Sequence, residues 1–166
     1  MAVYLISDTH FGHPNVCKFR PFESEEEHDS FILENILRVV CKRDSLYILG
    51  DVCVNESGWW CVEEIARRVE FLHVILGNHD MERQGHPVLN QYDSLCKGVY
   101  GMRKYKNAWL THAPIHPEEL RGKLNVHGHV HSATIDDERY INVSCENTEY
   151  LPINFVDIQK GWRKDK

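Results

Sequence analysis

The chain has 166 residues, 42% of them hydrophobic and 27% charged, with a formal net charge of −6. This is the composition of an ordinary globular protein of one domain's length, so residues 1–166 are expected to form a single domain. No apolar run approaches the length of a membrane span. The acidic balance argues against a sequence-independent duplex binder, which needs a basic face to displace counterions.

The opening MAVYLISD lacks both the basic region and the long apolar core of a signal peptide, which implies a cytoplasmic protein. Residues 3–6 (VYLI) read instead as a first strand. A helix follows: Ser24 and Glu27 have capping-box spacing, and Ile32, Ile36, Val39 and Val40 recur at helical intervals. Residues 46–49 (LYIL) form a second strand. A second helix, opening near Ser57, carries Trp59, Val62, Ile65, Ala66 and Val69 on one face. Residues 74–76 (VIL) form a third strand. This alternation predicts an α/β sheet with right-handed crossovers. Beyond Asp80 the pattern becomes β-rich. Residues 99–105 and 108–111 predict a hairpin around Lys106-Asn107, and 124–126, 140–143 and 153–156 predict further strands. The six cysteines have no C-x-x-C pair among them and are expected to be free, mostly buried thiols. The terminal KGWRKDK is expected to be a solvated tail.

Five strands end in the same manner. They lead into Asp8-Thr9-His10, Gly50-Asp51, Gly77-Asn78-His79-Asp80, Thr111-His112 and His127-Gly128-His129. Functional groups of open α/β sheets gather at the carboxyl ends of strands, and five ligand-capable endings are hard to obtain by chance. Glycine just before a ligand permits close approach that a Cβ would block. Asp8 and His10 are two apart, as are His129 and His131, so an extended backbone would point each pair one way. Mixed carboxylate, amide and imidazole donors without thiolate suit Mn, Fe, Ni or Zn. There are too many candidates for one four-coordinate ion, which points to two.

These blocks, in this order from Asp8 to His131, resemble the calcineurin-like metallophosphoesterases, and the SDTHFGH opening looks most like the small stand-alone members of bacteria and phages. The resemblance implies an α/β fold, a four-layer α/β/β/α sandwich of two mixed sheets flanked by helices, with two divalent metals at its top. It implies that Asp8, His10, Asp51 and His131 hold the first ion. Asp51, Asn78, His112 and His129 would hold the second, with Asp51 bridging. Mn²⁺ is favoured, with Ni²⁺, Fe²⁺ or Zn²⁺ as alternatives. His79 would face the substrate as the catalytic residue, stabilising the transition state or protonating the leaving oxygen while a metal-bridging hydroxide attacks phosphorus.

The chain departs from the protein Ser/Thr phosphatase branch of that family. No Asp-Arg-Gly follows Gly50-Asp51, and Leu76 stands where an arginine is expected before Gly77. Monoester dianions need such cationic support more than diester monoanions do. The expected activity is therefore a phosphodiesterase acting on a nucleotide, a nucleic-acid end or another diester. The alternatives are a phosphomonoesterase, gripping substrate through Arg83 or Arg103, and a non-catalytic scaffold. His13 and Arg83 are candidate substrate contacts; Arg20 and Asn15 are weaker ones. His127 is expected to be structural, Trp59 to pack in the core, and His28, His73 and His116 to be ordinary surface or core residues.

Overall fold

The computed structural model describes residues 1–80 and 88–161. In chain order the elements are β1 (Val3–Ile6), α1 (Glu25–Val39), β2 (Ser45–Leu49), α2 (Trp59–Arg68), β3 (Phe71–Ile75), α3 (Val88–Leu95), β4 (Gly98–Tyr100), β5 (Met102–Tyr105), β6 (Ala108–Thr111), β7 (Leu124–His127), β8 (Tyr140–Asn142), β9 (Ile153–Asn154) and α4 (Phe155–Gln159), with four short 3-10 turns between them. Two mixed sheets result. The first runs β4-β3-β2-β1-β9, parallel except for β9. The second runs β5-β6-β7-β8, parallel except for β5.

Alternation along the strands sorts the core into two layers. Ile6, Leu46, Ile48, Leu72 and Val74 face Ile32, Leu33 and Ile36 of α1 and Cys61, Val62 and Ile65 of α2. Leu5, Tyr47, Leu49 and Ile75 face Leu110, Val126 and Ile141 of the second sheet. Every residue of β2 is buried, because a central parallel strand is covered on both faces. The far side of the second sheet is closed by a 3-10 turn, Pro117–Leu120, which seats a fully buried Leu120. There the Ile115 amide donates to Asn125 Oδ1 at 2.9 Å, and the Tyr140 hydroxyl donates to the Ile115 carbonyl at 2.6 Å.

The Ser24 hydroxyl accepts from the Glu27 amide and caps α1. Glu27 reaches back to the Glu23 amide rather than to Ser24, so the box closes one residue early. Trp59 packs in the core against Tyr92, with ring centroids 5.2 Å apart.

Three expectations are corrected. Residues 99–105 are not one strand: β4 completes the first sheet and β5 opens the second, so the chain changes sheet at Gly101. Residues 153–156 are a two-residue strand leading into α4, because the Asn154 side chain accepts from the Val156 amide and starts a helix. All six cysteines are free, but only Cys61 and Cys145 are buried. No helix among the described residues is long and apolar enough to cross a membrane. Residues 162–166, which include most of the basic tail, lie outside the described residues.

Candidate metal centre

Strands β1, β2, β3, β6 and β7 deliver their polar endings to one end of the two sheets. Asp8, His10 and His131 present ligand atoms within 4.8 Å of one another, as do Asp51, His112 and His129. Asp51 links the two groups: its Oδ2 lies 3.8 Å from His10 Nε2 and 3.3 Å from His112 Nε2. Asn78 joins the second group, with its Oδ1 3.1 Å from His112 Nε2. Asp8, His10, Asp51 and His112 are buried on the floor, whereas Asn78, His79 and His129 are exposed at the rim.

The backbone at these pairs is not extended, contrary to the expectation from their two-residue spacing. Asp8 (φ 59°), His10 (φ 50°), Asp51 (φ 51°), His129 (φ 69°) and His131 (φ 50°) are all left-handed. A non-glycine residue there costs on the order of 1–3 kcal/mol and persists only where its surroundings over-determine it. Such surroundings are present. The Asp8 amide donates to the Gly50 carbonyl and the His10 amide to the Asp51 carbonyl. The Asp51 and Val52 amides both donate to Asp80, a buried carboxylate that also accepts from the Gly77 amide and the Tyr92 hydroxyl. The His129 amide donates to the Asp8 carboxylate, and Asn142 and Asn147 both donate to the His131 carbonyl. Glycine has the expected role: a Cβ on Gly128 would overlap Ser7 and Asp8, and one on Gly77 would overlap Asp51.

A layer of supporting residues, not evident from sequence, fixes the ligands. Arg20 is buried, and its five N–H groups face the Asp8 carbonyl (2.6 Å), the Thr9 carbonyl (3.3 Å), His28 Nε2 (2.8 Å) and, twice, Glu146 Oε1 (2.9 Å). It is therefore a clamp on the first ligand loop, not a substrate contact. His28 is a core residue joined to it and to Asp29, whose other oxygen accepts from the Gly12 amide. Glu146 also accepts from His131 Nδ1 at 3.0 Å, and Ser144 Oγ donates to Asp8 Oδ2 at 2.9 Å.

These contacts suit the site to divalent metal. His131 gives its Nδ1 proton to Glu146 and His112 gives its own to the Leu49 carbonyl at 2.8 Å, leaving each Nε2 as the unprotonated nitrogen, that of His112 facing Asp51, Asn78 and His129. Neither ring nitrogen of the buried His10 has a hydrogen-bond partner. Burial, with the Arg20 charge behind it, drives the His10 pKa down to about 3, so the ring is a neutral donor. Burial pulls Glu146 up, but the His131 hydrogen bond and Arg20 outweigh it and hold its carboxyl at about 2. An orphaned neutral imidazole between two carboxylates, beside facing nitrogens of His112 and His129 only 3.2 Å apart, is a donor set that fits a divalent metal.

A cleft of about 360 Å³ opens over the first group, lined by His10, His13, Val16, Phe19, Arg20, His79, His131, Ser132 and Glu146. The His79 ring lies 5.5 Å from that of His10, and its amide donates to Asp51 Oδ1 at 2.9 Å. His13 is half-buried on the wall, its ring 5.8 Å from His10; burial, then nearby His79 and Arg20, lowers its pKa. Asn15 is exposed beside it and lines no part of the cleft. His127 is fully buried, its Nδ1 donating to the Gly128 carbonyl, a structural role. Arg83 lies outside the described residues. Arg103 sits over the Tyr47 and Tyr100 rings, away from the cleft.

Two mixed sheets with flanking helices and a paired cluster of Asp, Asn and His at the strand ends define the metallo-dependent phosphatase class of fold. Within it, the calcineurin-like phosphoesterase superfamily domain matches residues 1–148, and the chain belongs to that family. An uncharacterized protein of Methanocaldococcus jannaschii is 31% identical, across 99% of this chain and 93% of its own. The gene 66 protein of Mycobacterium phage L5 is 29% identical, across 80% of this chain and 78% of its own. A protein of unknown function from Aquifex aeolicus has a solved structure with a TM-score of 0.75 at 25% identity, covering 96% of this chain and 98% of that one.

Proposed function

We propose that this protein is a binuclear-metal-dependent phosphodiesterase, hydrolysing a P–O bond of a nucleotide-type or other phosphodiester. Asp8, His10, Asp51 and His131 would hold one ion, and Asp51, Asn78, His112 and His129 the other. Mn²⁺ is the favoured metal, ahead of Ni²⁺, Fe²⁺ and Zn²⁺. Two such ions supply Lewis acidity towards the phosphoryl oxygens and lower the pKa of water towards neutrality.

The observation that carries the diester preference is the engagement of Arg20. It is the one arginine among the described residues of the cleft, and its donors are taken by Asp8, Thr9, His28 and Glu146. The remaining wall is imidazole, hydroxyl, apolar surface and the Glu146 carboxylate, which suits a monoanion better than a dianion. His79, exposed on the rim and tethered through its amide to the bridging Asp51, is suited to donate to the leaving oxygen. His13, on the same wall and biased towards its neutral form, is suited to hydrogen-bond a phosphoryl oxygen.

The test uses chelator-stripped protein reloaded separately with Mn²⁺, Ni²⁺ and Zn²⁺, with an aryl phosphodiester and its monoester assayed side by side. Metal-restored turnover favouring the diester is expected. Preference for the monoester would move the reading to a phosphomonoesterase. His79→Ala should lose about 10²–10⁴ in turnover while retaining its metals; full activity in that variant would remove His79 from the chemistry.

A further inference from the structure

We infer that Phe19 is a stacking platform for a planar aromatic group carried by the phosphoester, the nucleobase of a nucleoside being its biological form. The inference rests on the phosphoesterase reading and names the part of the substrate that reading leaves open.

Phe19 is 77% exposed, the most exposed aromatic side chain among the described residues. A single apolar residue on a surface is ordinary, but this one forms a wall of the metal-proximal cleft together with Val16, His13 and His79. Its backbone is held on both sides. The Phe19 and Arg20 amides donate to the Val16 carbonyl, Val16 itself is buried, and the Arg20 side chain is locked onto the Asp8 and Thr9 carbonyls. The ring is thus presented to solvent from a fixed base, in a T-shaped contact with the His13 ring at a centroid distance of 6.3 Å. An aromatic side chain on a fixed backbone has only two side-chain torsions to order, so covering it with a second ring costs little entropy.

The cleft supplies the complementary half. Its volume of about 360 Å³ suits one nucleoside-sized group. It is lined by His10 and His131, near which the phosphoryl group would bind, and by Phe19, whose ring is 6.3 Å from that of His13, itself 5.8 Å from His10. A phosphoester seated on the metals could therefore extend one substituent past His13 towards Phe19. A flat uncharged ring is the substituent that wall and ring best cover.

The experiment measures inhibition of hydrolysis of a chromogenic diester by thymidine 5′-monophosphate and by deoxyribose 5-phosphate, which carries a hydroxyl in place of the base. Wild type, Phe19→Ala and Phe19→Trp are compared, each loaded with Mn²⁺. Stacking predicts that Phe19→Ala raises the inhibition constant for the nucleotide by about tenfold, at the lower end of what a stacked base contributes. The constant for the sugar phosphate should stay within about twofold, and Phe19→Trp should restore nucleotide binding. If Phe19→Ala leaves both constants unmoved, or moves both alike, the stacking role is overturned while the phosphoesterase reading stands. If wild-type protein turns over no phosphoester with any metal, that reading fails and this one with it.

Discussion

Replacing Arg20 with alanine removes a buried guanidinium that holds the Asp8 and Thr9 carbonyls directly and reaches His131 through Glu146. Its side chain is 2% exposed and that of its partner Glu146 is 19% exposed, so solvent screens the pair little. The substitution leaves the Asp8 and Thr9 carbonyls without their donor and Glu146 with His131 as its main counterweight. Hydrogen bonds to charged groups are worth about 1.5–3 kcal/mol each, and deleting one partner of a buried ion pair costs about 3–5 kcal/mol. The contributions overlap, so the expected loss is about 4 kcal/mol, a large part of the ~5–15 kcal/mol that holds a domain folded. Arg20→Lys retains the charge but cannot span two carbonyls and a carboxylate, and should lose about half as much. Urea unfolding in excess chelator isolates this effect from metal binding. With a slope of about 2 kcal/mol/M, the alanine variant should unfold at a midpoint lower by about 2 M. Metal titration should show weakened uptake at the first site in both variants. A loss below about 1 kcal/mol in Arg20→Ala, or a lysine variant matching wild type in both assays, would refute the clamp.

Glu146→Ala should weaken metal affinity about 10–100-fold, the usual effect of removing a carboxylate that orients a ligating histidine, and competition with a chromogenic chelator reads it. Gly128→Ala places a methyl group on Ser7 and Asp8 and should cost about 1–3 kcal/mol in chelator, with less than two equivalents of metal bound by elemental analysis. His73 provides a pH test away from the metal ligands. Burial, then the Arg103 charge, lowers its pKa to about 4, so between about pH 6.5 and 4 the unfolded chain binds more protons than the folded one. Stability should fall as pH drops through that window and level off below it. His73→Phe, which keeps a ring stacked on Tyr47, should remove roughly 2 kcal/mol of that fall, allowing for partial burial; equal slopes in the two proteins would contradict it.

Much of the centre was legible in the chain because its donors occur as local blocks. Asp8 and His10, Asp51, Asn78 and His79, His112, and His129 and His131 each follow a short apolar run, and a strand exit is a local event that hydrophobic pattern and polar residues both mark. Ser24 as a helix cap, and the helical spacing of Ile32 and Ile36, were readable for the same reason. What escaped the sequence was non-local or conformational. Arg20 and Glu146 stand 126 residues apart, in segments with no motif, and only packing of the two sheets brings them together. Asp80 appears in its block as one more polar residue; its task of receiving four donors exists only once β2, β3 and α3 are assembled.

The left-handed backbone at five candidate ligands could not be read from Asp and His, which adopt it more often than other non-glycine residues but still in a small minority of cases. Tertiary contacts impose it, and they overrule the extended geometry that the two-residue spacing suggests. The split of 98–105 between two sheets has the same origin. A β-rich run records that it forms strands, but which sheet edge each half completes is decided by β3 and β6, the strands already waiting there. Local chemistry thus determined which residues can ligate and where strands end, whereas the assembled sheets decided how those residues are aimed and what holds them.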